Sequence, residues 1–194
     1  MKSLKLLTIA PALLVMSLTA CAGAKMDADK AKERADAYDA AAVAEKYSKA
    51  EVTTKVDIKK NTGVFADGGV MYSAVVAPIK AQDGTKTYEG DQIAYLVYDA
   101  DDMKLYDGLE GYTVTYYSYK SKGLKIELKV DAEDETLGIK QTSKGTQNSY
   151  VLDDGRMEKG DAKMTITVSG SSGGISMEGE LQYTMSLTTK WTAK

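Results

Sequence analysis

From Glu51 onward the chain alternates apolar and polar side chains. Val52, Thr54, Val56 and Ile58 fall on one side of an extended chain and Thr53, Lys55, Asp57 and Lys59 on the other, the pattern of a half-buried strand. A turn follows at Asn61-Thr62-Gly63. Further strand-length runs occupy residues 70–79, 85–98, 112–119, 124–130, 136–142, 149–152, 162–168 and 175–189. Gly, Asp and Asn-rich turns at 67–69, 82–84, 122–123, 144–145, 153–155 and 170–174 separate most of them. Met164, Ile166 and Val168, then Leu181, Tyr183, Met185 and Leu187, mark the two clearest later strands, which the Ser-Gly stretch 170–174 joins as a long hairpin. Consecutive strands with short connections and one apolar face predict a mainly β fold: a single antiparallel meander closed as a barrel or folded as a sandwich, in one domain over residues 51–194. Closure would also remove exposed sheet edges.

The period changes upstream. Residues 25–50 are rich in Ala, Lys, Asp and Glu and lack Gly and Pro, which favours helix. Asp27 or Asp29 is placed to cap its start. Ala28, Ala31, Ala35, Tyr38 and Ala42 recur at three- and four-residue steps and share one helical face. Alanine buries little area, so this stretch is expected to be a helical stalk, with a weakly self-associating or partner-binding helix as the alternative. Residues 21–50 are thus expected to form an N-terminal helical linker.

The first twenty residues carry a basic start at Lys2 and Lys5, an apolar run over residues 6–18, and the small residues Thr19 and Ala20. That is the anatomy of a secretory signal. The run is also shorter than the roughly 20 apolar residues of a membrane-spanning helix. Residues 1–20 are therefore expected to be cleaved.

The tetrad Leu18-Thr19-Ala20-Cys21 resembles the lipobox of bacterial lipoproteins. The resemblance covers the signal only. It implies cleavage between Ala20 and Cys21, a diacylglycerol on the Cys21 thiol, and an acyl chain such as palmitate on the new α-amino group. An ordinary secretory signal cut near Ala20 or Ala24 leaves unexplained why the only cysteine ends the apolar run. In Gram-negative lipoproteins of this class an Asp after the cysteine retains the protein at the inner membrane. Here Ala22 and Gly23 follow, so the resemblance implies the outer membrane, on its periplasmic face.

Composition narrows the chemistry. One thiol makes no intramolecular disulfide, so the exported domain is stabilised by its core alone. The net charge of −3, with both signs interspersed, offers nothing to a nucleic acid. Histidine is absent and Cys21 is assigned to lipid, which excludes the usual zinc site, Ser-His-Asp triad and Cys-His pair. Paired-carboxylate hydrolysis stays as a distant third reading, because most Asp and Glu fall in turns or on polar strand faces. No catalytic residue, metal site or cofactor is assigned. Asp99, Asp101, Asp102 and Asp107 form an acidic loop that departs from the EF-hand pattern at Met103 and Lys104, and Asp131, Glu133, Asp134 and Glu135 form a second; both read as solvated turns.

Aromatics remain. Thirteen Tyr against one Trp and one Phe is a lopsided balance. Tyr112 and Tyr116 share one face of their strand, and Tyr117 and Tyr119 the other. Tyrosine suits both a binding surface and a core, so these four are the candidate binding face. Trp191 reads as a plug at a barrel rim. The sequence thus predicts a non-enzymatic envelope lipoprotein, held to the membrane by its lipid, whose β domain binds a protein partner or supports envelope structure. The alternative is a carrier of a small ligand, lipocalin-like in role though without the Gly-x-Trp of that family. A cavity lined by Tyr and Met would favour the carrier.

Overall fold

A computed structural model describes residues 23–194. The expected signal, its expected cleavage point at Ala20 and the expected lipidation residue Cys21 lie outside the described residues. The strands are β1 (Lys25–Met26), β2 (Tyr47–Gly63), β3 (Gly84–Glu89), β4 (Tyr112–Tyr119), β5 (Gly123–Thr136), β6 (Ile139–Val151), β7 (Met157–Ser172) and β8 (Ile175–Ala193). They form one antiparallel sheet in the order β1-β4-β5-β6-β7-β8-β2-β3.

The expected meander is present from β4 to β8, but the expected closure into a barrel or sandwich is not. The sheet is open, ending at β1 on one side and β3 on the other. Its apolar face is covered by the chain between the strands and not by a second sheet. Phe65, Val76 and Ile79 pack on Leu128, Val130, Met164, Leu181 and Met185. Leu96 covers Ala50, Val52 and Leu187. Phe65, Val76 and Ile93 are wholly buried, so this irregular chain supplies the second layer that a closed sheet supplies to itself.

Several strand boundaries differ from the sequence reading for identifiable reasons. Residues 70–79 are helical turns, a π turn at Tyr72–Val76 leading into α3 (Ala77–Lys80), with Pro78 in the first turn where its missing N–H costs nothing. Residues 85–98 begin as β3 and become a 3-10 turn at Gly90–Leu96. Residues 136–142 hold the β5–β6 hairpin: Leu137 and Gly138 both have positive φ, 54° and 77°, as a type I′ turn requires. Gly145 is no turn but a β6 position against Met164. The supposed acidic loop at 131–135 lies within β5, where Asp131 pairs with Lys144 at 2.9 Å and Glu133 with Lys140 at 2.6 Å.

The stretch 25–50 contains β1 and two helices, α1 (Ala28–Asp36) and α2 (Ala40–Lys46). Asp27 caps α1 by accepting from Lys30 N, and Asp39 caps α2 by accepting from the amides of Ala41 and Ala42. The alanine stripe meets the sheet: Ala31 and Ala35 are buried, Ala31 beside Tyr116, Leu124 and Val151. Arg34 Nη1 donates to Gly123 O at 2.9 Å and Tyr38 Oη to Lys122 O at 3.0 Å, fastening α1 to the β4–β5 turn. Val43 of α2 packs on Ile93 and Val97.

Candidate functional site

Strand register divides the four candidate tyrosines between two faces. Tyr112, Tyr116 and their cross-strand neighbours Val130 and Ile126 belong to the inner face, under the covering chain; Tyr117 and Tyr119 point to the outer one. They do not form one surface.

On the inner face, Tyr116 is buried and its hydroxyl is hydrogen-bonded to that of Tyr98. Burial, first of all, pushes both phenols above their ordinary range. Tyr112 stacks on Tyr106 with ring centres 5.9 Å apart. Between the sheet and the 95–106 segment lies a hollow of about 110 Å³. Its walls include Tyr98, Tyr106, Tyr116, Met103 and Met157, with Val52 and Leu187 from the opposite end of the sheet. Its few polar neighbours include Ser149, Gln147 and Thr189. Thr189 Oγ1 is buried with no hydrogen-bond partner among the described residues, leaving one hydroxyl to engage a guest.

The outer face is a mosaic of rings and charges. Lys125 Nζ sits 5.0 Å over the Tyr117 ring and Lys159 Nζ 4.7 Å over Tyr150. Tyr119 meets Tyr150 edge-on at 5.1 Å and donates its hydroxyl to Glu158 Oε2 at 2.6 Å. Burial, followed by that carboxylate, raises the Tyr119 phenol. These rings are already engaged by neighbours of their own.

Trp191 is held from two sides. Its Nε1 donates to Met157 O at 3.0 Å, and its ring meets Tyr47 edge-on at 5.6 Å. The Arg156 guanidinium lies 4.2 Å over Tyr47, a contact that nothing in the local sequence announces. In the loop at 99–102, Asp99 Oδ1 accepts from the amides of Asp101 and Asp102, and Asp102 Oδ2 accepts from Asp99 N. Those carboxylates organise their own turn. No cluster of three or more metal-ligating side chains occurs among the described residues.

Compared with protein-family models, with curated proteins and with solved structures, the chain shows no match to any.

Proposed function

We propose that this chain is a lipid-anchored protein of the bacterial cell envelope whose β domain binds without catalysing, and that the inner hollow is where it binds. The anchoring rests on the Leu18-Thr19-Ala20-Cys21 lipobox. The binding reading rests on one observation: a hollow whose Tyr and Met side chains come from β4, β7 and the 95–106 segment, closed on the far side by Val52 of β2 and Leu187 of β8. A cavity of about 150 Å³ takes up one benzene, so about 110 Å³ takes a few methylenes, or the edge of a ring whose remainder stays at the mouth. A small apolar molecule, or the apolar part of a larger one, is the ligand proposed.

Titration with N-phenyl-1-naphthylamine, a neutral apolar fluorophore, tests the site. Saturable enhancement at one site per chain, reduced when Ile126→Trp fills the hollow, is the expected result. Enhancement that never saturates, or that Ile126→Trp leaves unchanged while the protein stays folded, removes the hollow as a binding site.

A further inference from the structure

Three of the six large apolar side chains that stand exposed among the described residues gather at one end of the sheet: Leu137 at 81%, Val70 at 72% and Ile175 at 69%. Leu137 sits at the tip of the β5–β6 hairpin, and Ile175 follows the turn between β7 and β8. The two tips are neighbours, because Ile139 pairs with Gly170 and Ser171 N donates to Gly138 O at 3.3 Å. Val70 lies beside their base: Met71 N donates to Val64 O at 2.9 Å, and Val64 N to Glu178 O at 2.8 Å. β4 ends its pairing with β5 at Val130, so Asp131–Thr136 carry the first tip about 20 Å past that neighbour.

The fold itself gives no reason for aliphatic side chains at these tips. Leu137 has φ +54°, in a turn that Asn or Gly fills at lower cost, and Ile175 adjoins Gly173 and Gly174. Leu137, Ile175 and Val70 belong to none of the core clusters. The tips also lack charge. In a chain with 27% charged residues, 136–139 and 169–177 hold none. The nearest charges along the two hairpins are Glu135, Lys140 and Glu178, more acidic than basic.

We infer that this end docks on the surface of an electrically neutral lipid bilayer, with Leu137 and Ile175 entering the interface and Val70 following. The inference depends neither on the hollow nor on the lipid anchor. A stable protein interface takes about 800 Å² and 20 to 30 residues a side, and it is anchored by Trp, Tyr or Arg. Three aliphatic side chains on projecting turns offer neither that area nor those anchors. A bilayer interface closes around any apolar tip without a matching shape, at a depth of about 5 to 10 Å where headgroups and water still satisfy the turn backbone. Anionic lipid would attract a basic rim, and Glu135 and Glu178 make this one the opposite.

Tryptophan placed at the tips reports on contact. The full chain carrying Leu137→Trp or Ile175→Trp is mixed with an excess of phosphatidylcholine vesicles whose acyl chains are brominated, and its emission is compared with that of the parent chain, which holds Trp191 alone. The added tip emission is expected to shift to the blue and to be largely quenched. Lys86→Trp, exposed on β3 in the other half of the sheet, is expected to keep its added emission. Leu137→Asp combined with Ile175→Trp is expected to abolish the quenching at an unchanged melting temperature, since Asp tolerates positive φ and Leu137 supports no core cluster. Unquenched tips, equal quenching at Lys86→Trp, or quenching that survives Leu137→Asp overturns the inference. Quenching that appears only when phosphatidylglycerol is added overturns the neutral surface.

Discussion

Asn148 and Asp161 stand directly opposite each other on β6 and β7, and Asn148 Nδ2 donates to Asp161 Oδ2 across 2.9 Å. Both side chains are buried on the outer face of the sheet, and Asn148 Oδ1 has no partner among the described residues. Burial raises the Asp161 carboxyl from its ordinary 3.8 to about 6, against the opposing pull of the Asn148 hydrogen bond and of Lys125 and Lys159.

The pair makes stability depend on pH. Between pH 3.8 and about 6 the folded chain keeps a proton on Asp161 that the unfolded chain has lost. Stability from this group is therefore greatest below pH 3.8 and falls as pH rises through about 6. Asp161→Asn removes the buried charge and offers an N–H donor to the unpartnered Asn148 Oδ1. It is expected to stabilise the protein at pH 7.5 by on the order of 1 to 3 kcal/mol, and by less at pH 4.5. Urea unfolding at both pH values measures this; a variant destabilised at pH 7.5 would show that the ionised pair holds the sheet together.

Truncation of the tyrosines should divide them by face. Tyr116→Ala, within the core, is expected to lose about 3 to 5 kcal/mol, as other buried aromatics do. Tyr117→Ala removes a half-buried ring and one Lys125 contact, at a cost of about 1 kcal/mol or less. Tyr119→Ala falls between them, losing the Tyr150 contact and the Glu158 hydrogen bond, together about 1 to 2 kcal/mol. Thermal melts rank the three, and equal losses would contradict the division.

Gly155 has φ +87°, and a Cβ placed there would stand 2.7 Å from Tyr38 Cβ and 2.9 Å from Val97 Cγ1. Gly155→Ala is thus disfavoured by backbone and by space together. A loss of at least about 2 kcal/mol is expected in chemical denaturation, loosening the junction of α1 with the Val97 segment. An unchanged midpoint would mean that Tyr38 gives way freely.

The anchor has its own test. Cys21→Ala is expected to abolish incorporation of labelled fatty acid and leave the protein soluble or uncleaved. With Ala22 and Gly23 following the cysteine, the lipidated protein from a Gram-negative host is expected to sediment with outer-membrane markers on a density gradient. Labelling that survives the substitution refutes lipidation, and recovery with inner-membrane markers refutes the sorting.

Side-chain alternation is a local property, and what depends on it alone was legible in the sequence. β4 keeps the bounds read from its pattern, and the assignment of Tyr112 and Tyr116 to one side and Tyr117 and Tyr119 to the other follows from the two-residue period of any strand. The β7–β8 hairpin and the Asp27 cap were legible for the same reason, since each needs only near neighbours in the chain.

Residues 70–79 show where local reading ends. Their apolar run suits a buried strand or a buried helix equally, and the place of Val76 and Ile79 against Leu128 and Met185 decided for helical turns. Closure was undecidable in the same way, because an apolar strand face is satisfied by another sheet or by covering chain. The hollow joins Val52, Tyr116 and Thr189, and the buried pair joins Asn148 to Asp161; both depend on which strands become neighbours and in what register. The sequence by itself determined strands such as β4 and the β7–β8 hairpin, their two faces, and that the chain holds no histidine and a single cysteine. Only the tertiary structure decided which faces are covered and where space is left, because those are properties of surfaces that meet across long stretches of chain.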